Sequence, residues 1–486
     1  MSLVQNQKVR FVHAADLHLG NKQYNNLERY KDFNRAFKWL LNFTKQQNAD
    51  FLLISGDIFA TGYINPEIIY YIYSELKDFK EQTNGKCPVI MIEGNHDLRR
   101  YGDLRSWLQF LAKTSLIILL DAEFDEKNNI IFKPYDYDKS QGGYINIKGI
   151  NVYGLRFRGL NVKDLFNQIY EKVDNNGFNI LMMHFGIYGY INRSDAIQYD
   201  ENLDKLKEKV NYLALGHFHK HYIEHKWIFN PGSTESNEYI EAANDFNRGV
   251  LVVDVDLSTK KFEYKFEDIK KHNRKFIIFK ENIGLSELNT YDKVKNYLLN
   301  KLDQVLIPKS QSIIDPSDLT LPVLYIILEG TVNYSTNEIN INDLILEIQN
   351  KYNVLLVKVR NLCQSPLDNI YLEDYDNFNS DDIETNILQQ KFNNDNIFRN
   401  VTDNLIPLVK KIKEGVLEGY NSINDLLDEI ESWWDKNEME KYYILDNEAS
   451  VDSKNKDQII NESTSQPKKV KSIKSKSKLK NLTDFV

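Results

Sequence analysis

Residues 9–20 read VRFVHAADLHLG. An apolar, β-branched run passes directly into Asp16 and His18, two residues apart and just ahead of Gly20. A strand that ends in polar residues fits a buried strand of an α/β sheet, because the loop at its carboxyl end opens onto the ligand crevice. The same design recurs along the chain. ADFLLISGD (49–57) ends in Gly56-Asp57, and CPVIMIEGNHD (87–97) ends in Gly94-Asn95-His96-Asp97. FNILMMHFG (178–186) carries His184, and VNYLALGHFH (210–219) carries Gly216, His217 and His219. Between the first strands, residues 30–47 place Phe33, Ala36, Phe37, Leu40 and Leu41 at helical spacing. Residues 65–82 read as a second helix with Pro66 near its start. Strand and helix alternate, which predicts an α/β domain with a mostly parallel central sheet. Hairpins are expected at 145–155, around Lys148-Gly149, and at 248–269.

Five polar clusters at five strand ends would face one another. Asp, His and Asn without any thiolate suit Mn, Fe, Zn or Mg. Seven ligands are too many for one ion and suit two, which then need a bridging carboxylate. Asp57, on the loop of the central strand, is the natural bridge. Residues i and i+2 of a short extended loop project to similar sides. His217 and His219 could therefore serve two neighbouring ions.

Bulk properties bound the rest. The chain has 486 residues, 42% of them hydrophobic, enough for a sizeable core and two to four domains. No apolar run approaches a membrane span, and the first ten residues lack a signal core. Cys87 and Cys363 have no metal spacing and read as reduced structural thiols. The net charge of −9 does not by itself suggest a nucleic-acid binder, although a basic groove can sit on an acidic body. A small α+β unit is expected over 280–365. Amphipathic patterns follow at 380–440: Ile383, Ile387, Leu388, Phe392; Leu408, Val409, Ile412, Val416; and Ile423, Leu426, Leu427, Ile430, Trp433, Trp434. These stripes need a surface, either their own domain or a partner. Residues 448–486 are polar, end in a lysine-rich segment, and are expected to be disordered.

The ordered set Asp-x-His, Gly-Asp, Gly-Asn-His-Asp, His and Gly-His-x-His resembles the calcineurin-like metallophosphoesterase superfamily. Within it, FVHAADLHLG, LLISGDIF, VIMIEGNHD, LALGHFHK and NPGSTE look like the nuclease subunit of the double-strand-break repair nuclease–ATPase complex, SbcD-type in bacteria, with archaeal and eukaryotic counterparts. The resemblance implies a sandwich of two sheets flanked by helices (1–275), a DNA-capping α+β domain (280–365), helices that bind an SMC-like, Rad-fifty-type ATPase (380–440), and a lysine-rich tail (448–486). It implies two Mn2+ ions, the first held by Asp16, His18 and His219, the second by Asn95, His184 and His217, with Asp57 bridging. His96 would act beside the scissile phosphate as general acid or transition-state stabiliser. The implied activity is a 3′ exonuclease on duplex ends and a single-strand endonuclease, in a homodimer, located in the cytoplasm at the nucleoid or in a nucleus. Many family members carry a second histidine three residues after the bridging Asp, where this chain has Ala60. That residue is associated with exonuclease activity.

Arg99, Arg100, Arg105, Arg156, Arg158 and Lys220 lie near the predicted loops and are candidate DNA contacts. The segment DLRSWLQFLAK (103–113) resembles the family's dimerising helix, and LKNLTDFV (479–486) loosely resembles a sliding-clamp-binding peptide. Two other readings stand beside the nuclease: a metallophosphoesterase for another phosphoester, and a scaffold that binds DNA ends. The appended region 280–440 separates the nuclease from a simple phosphatase.

Overall fold

In a computed structural model, the described residues are 8–98, 106–191, 193–365, 384–385, 388–389, 392–393, 398–399, 401–418 and 423–437. Arg99, Arg100, Arg105, Ile383, Ile387 and the lysine-rich tail with its terminal peptide lie outside them. The chain divides into two compact units, residues 1–365 and 366–486.

In the first unit, β1 (Lys8–Ala14), β2 (Phe51–Ser55), β3 (Val89–Ile92) and β4 (Ile118–Leu119) run parallel. A short ribbon, β5 (Glu123–Phe124) with β6 (Ile130–Ile131), precedes a second sheet. That sheet contains β7 (Tyr144–Ile147), β8 (Ile150–Gly154), β9 (Phe178–His184), β10 (Tyr212–Gly216), β11 (Tyr222–Glu224) and β12 (Ile228–Asn230), in the order β11-β12-β10-β9-β8-β7. β13 (Gly249–Asp256) and β14 (Lys261–Asp268) return to the first sheet, in the order β14-β13-β1-β2-β3-β4. The sequence therefore builds two mixed sheets of six strands rather than one parallel sheet.

Strand β2 explains the layering. All five of its residues are buried. Leu52 and Ile54 face a core with α1 (Leu27–Gln46) and α2 (Pro66–Gln82), while Phe51 and Leu53 face the second sheet with Ile180, Met182 and Tyr212. A continuous apolar run is what a strand covered on both faces requires. The helices begin where the sequence supplies caps: Asn26 for α1, Asn65 followed by Pro66 for α2, and Ser106 for α3 (Trp107–Lys113). On the outer face of the second sheet, α4 (Phe166–Lys172) and α5 (Glu201–Lys205) supply Phe166, Ile169 and Leu203 to a further core. A five-residue helix, α6 (Tyr239–Ala243), follows β12.

The smaller part of this unit has three parallel strands, β15 (Phe276–Asn282), β16 (Val323–Glu329) and β17 (Leu356–Asn361), packed on α7 (Tyr291–Leu302) and α8 (Ile341–Lys351). Its first strand starts at Phe276, ahead of the expected start at 280, with the apolar run Phe276-Ile277-Ile278-Phe279. Arg274 ties this part to α1. Its guanidinium bonds Asp32 and the backbone carbonyls of Pro316, Asp318 and Leu321.

In the second unit, helices Thr402–Glu418 and Ile423–Lys436 share a core of Phe392, Phe398, Leu405, Leu408, Val409, Ile412, Ile430 and Trp434. Of the apolar positions named from the sequence, Leu408, Val409, Ile412, Ile430 and Trp434 pack together in this core.

Candidate metal centre

The five strand-end clusters converge. β1 leads to Asp16 and His18, β2 to Asp57, and β3 to Asn95 and His96; His184 ends β9, and His217 and His219 follow β10. Asp16, His18, Asp57, His184 and His217 are buried, whereas His96 is exposed.

The backbone is bent hard to achieve this. Asp16, His18, Asp57 and His217 all have positive φ, at 54°, 47°, 52° and 92°. Non-glycine residues rarely adopt that region, and clusters of such residues mark functional sites. Gly94 is required by contact: a Cβ there would lie 2.1 Å from Asp57 Oδ1. At Gly56 a Cβ would lie 2.4 Å from His184 Nδ1.

Donor atoms fall into overlapping groups. Asp16, His18 and His219 form one; Asp57, His184 and His217 another; His18, Asp57 and His96 a third. Asp57 Oδ2 lies 3.8 Å from His18 Nε2 and 3.3 Å from His184 Nε2, so one carboxylate oxygen faces both halves. Asn95 Oδ1 lies 3.2 Å from His184 Nε2 and 3.0 Å from His217 Nδ1. His18 and His219 point their Nε2 atoms at each other across 3.0 Å. Imidazole nitrogens, two buried carboxylates and an amide oxygen aimed at common points make a donor set for hard or borderline divalent cations.

Electrostatics agree with that demand. Burial and neighbouring His219 push His18 well below its usual range, and burial with His184 lowers His217 to about 4. Burial lowers His184 and His219 too, but Asp57 with Asp16 overcomes it at His184 and Glu241 with Asp16 and Asp57 at His219, and both rise to about 9. The same carboxylates that favour a proton on His184 and His219 favour a metal cation in its place.

Each histidine of the Gly-His-x-His stretch also has a carboxylate on its outer nitrogen. His219 Nδ1 lies 2.6 Å from Glu241 Oε1, and His217 Nε2 lies 2.9 Å from Asp195 Oδ2. Such partners fix the ring orientation and the tautomer of a ligating histidine. His184 Nδ1 donates instead to the Ser55 carbonyl, at 2.7 Å. Sequence reasoning missed Glu241 and Asp195; both lie in stretches with no motif. The last residue of Gly-Asn-His-Asp has a structural role. Asp97 accepts from the backbone N–H groups of Phe59 and Gly94, both at 2.9 Å, and so staples the loops after β2 and β3 together.

A cleft of about 610 Å3 opens over the centre. Its walls include His18, Asp57, Asn95, His96, His217 and His219, together with Lys22 and Arg193. His96 sits above Asp57: its backbone N–H donates to Asp57 Oδ1 at 2.9 Å, and its ring Nδ1 lies 2.8 Å from the Ala60 carbonyl. Three of the predicted cations are engaged by other groups. Arg156 and Arg158 are drawn to Asp121, with Glu93 near Arg156, and Lys220 lies over the Phe246 ring. Lys22 and Arg193, which no sequence motif singles out, line the cleft, Arg193 in an ion pair with Asp195 at 2.8 Å.

The calcineurin-like phosphoesterase family profile matches residues 9–221, the segment that supplies all these strand ends. This domain is a calcineurin-like metallophosphoesterase. The DNA double-strand break repair protein Mre11 of Archaeoglobus fulgidus is 28% identical over 243 residues, 48% of this chain and 52% of that protein. The Saccharolobus solfataricus protein of the same name is 26% identical over 253 residues, 51% of this chain and 60% of its own length. A subunit of the nuclease SbcCD from Staphylococcus epidermidis is 26% identical over 260 residues, 51% of this chain and 66% of that protein. The matched region thus spans about half to two-thirds of these relatives. Among the described residues, no helix is long and apolar enough to cross a membrane.

Proposed function

We propose that the chain is a Mn2+-dependent DNA nuclease that holds two ions and processes double-strand breaks with an SMC-like, Rad-fifty-type ATPase. The observation that carries this reading is the Asp57 carboxylate, whose Oδ2 faces His18 on one side and His184 on the other. The names of the relatives support DNA as substrate. The first ion would be held by Asp16, His18 and His219, the second by Asn95, His184 and His217, with Asp57 common to both.

Two such ions, when bound, supply positive charge for the phosphate oxygens and an activated water nucleophile. The chain supplies the rest. His96, exposed, with its backbone anchored by Asp57 and its ring steered by the Ala60 carbonyl, delivers a proton to the leaving oxygen. Lys22 and Arg193 hold phosphates flanking the scissile one. Residues 276–365 act as a cap on DNA, and the helices within 380–440 bind the ATPase. The nuclease works as a homodimer, with activity on duplex ends and on single strands.

The test uses end-labelled duplex and single-stranded DNA with Mn2+, Mg2+ or EDTA, with and without the partner ATPase. Wild type is compared with Asp57→Ala and His96→Ala. Mn2+-dependent cutting lost in both variants supports the reading. Hydrolysis of a generic phosphodiester without any DNA cleavage, partner present or absent, sinks it in favour of another phosphoester substrate.

A further inference from the structure

A second cavity, of about 600 Å3, lies beside the metal centre. Helix α6 borders both spaces: Glu238, its N-cap, lines the cleft, and Glu241 lines the second cavity. The remaining wall comes from the segment after α6, the crossover into β15, and Leu319-Thr320.

Arg248 sets this cavity apart. It is 4% exposed, yet its Nε has no hydrogen-bond partner, and no carboxylate among the described residues pairs with it. A buried charge without a partner is costly, and arginine cannot shed its proton to escape the cost. The other deeply buried arginines behave differently. Arg29 pairs with Asp32 and Glu235, and Arg274 pairs with Asp32. Arg248 alone of the three faces a cavity without a carboxylate of its own.

The other wall groups sharpen the chemistry. Two acids are present, and both are engaged: Glu241 with His219 and the Asn237 N–H, Asp245 with Lys270. Lys270, Lys271 and Arg274 are paired with carboxylates, whereas Lys275, exposed at the rim, adds a second cation without one. Asn273 Oδ1 is buried and unpaired, although its amide nitrogen donates to Thr234 and Glu235. Phe246 and Phe276 contribute apolar surface. The volume lies within the roughly 300–1,000 Å3 of small-molecule sites.

We infer that this cavity is a binding site for a phosphate monoester of up to mononucleotide size, with Arg248 and Lys275 on the phosphate. Asn273 Oδ1 accepts from a hydroxyl or amino group of the remainder, and Phe246 or Phe276 covers its apolar face. The phosphate can belong to a free mononucleotide or to the 5′ end of a strand. This site stands apart from the nuclease reading, because none of its cations lies in the metal cleft.

Calorimetry on the full chain in EDTA, which suppresses phosphate binding through metal in the cleft, tests the site. The probes are inorganic phosphate, deoxyadenosine monophosphate and a 5′-phosphorylated single strand, each with its unphosphorylated counterpart where one exists. Wild type is expected to bind the phosphorylated probes. Arg248→Lys and Lys275→Ala should each weaken binding about tenfold, as loss of a charge-assisted hydrogen bond does. Arg248→Met should abolish it. Lys275→Ala, on the rim, keeps the test valid if a change at buried Arg248 disturbs folding. Binding of the mononucleotide marks a free ligand, and binding of the phosphorylated strand alone marks a strand end. Wild type that binds no phosphorylated probe, or Lys275→Ala and Arg248→Lys that bind like wild type, overturns the inference.

Discussion

Glu241 Oε1 lies 2.6 Å from His219 Nδ1, while its other oxygen accepts from the Asn237 N–H at 2.9 Å. One carboxylate therefore holds the outer face of a ring whose inner nitrogen meets His18. Removal of such a partner costs about 10- to 100-fold in metal affinity. Glu241→Gln is expected to weaken binding of one of two Mn2+ ions by that amount, with the fold intact. Calorimetric titration of Mn2+ reads this directly; two unchanged binding events would exclude the role.

Ala60 lies in the cleft wall, and its carbonyl faces His96. Ala60→His restores the histidine that many family members carry at this place. We expect digestion of duplex ends to rise severalfold, with single-strand cutting little changed. The ratio of the two activities on labelled substrates is the measure, and an unchanged ratio counts against a role for position 60.

His13 joins the two sheets. Its ring nitrogens lie 2.9 Å from the Tyr212 hydroxyl and 2.9 Å from the Ser55 hydroxyl. Burial lowers its pKa from 6.5 to about 3. The unfolded chain therefore binds a proton that the folded chain refuses between those values. The contribution is fully present above pH 6.5 and is lost as pH falls toward 3, with a slope of at most about 1.4 kcal/mol per pH unit. His13→Gln should be less stable at pH 7.5 but should lose less on acidification to pH 5. Urea denaturation at both values decides this.

Asp32 is buried between Arg29 and Arg274 and also pairs with Arg35. Asp32→Ala would leave the buried Arg274 guanidinium without a carboxylate and Arg29 with Glu235 alone. Breaking a buried pair in this way costs about 3–5 kcal/mol. The expected result is a lower urea midpoint and faster proteolysis near residue 275, where Arg274 ties the smaller three-stranded part to α1. A midpoint equal to wild type would show that the network is solvated.

Much of the centre is written locally in the chain. Each apolar strand is followed by its own ligand within a few residues, so order and spacing suffice to name Asp16, His18, Asp57, Asn95, His184, His217 and His219 as candidates. Glycine placement is equally legible, because Gly56 and Gly94 leave room for His184 and Asp57. What lies between those stretches has no such signature. Asp195 and Glu241 each act 22 residues from their histidine. Lys22 and Arg193 reach the cleft, whereas Arg156 and Arg158 turn to Asp121. Division of the strands between two sheets and the unpaired Arg248 likewise arise only when distant segments pack. A metal ligand is specified by the strand that carries it; the carboxylate that orients it, or the cation left without one, is specified by which segments the folded chain brings together.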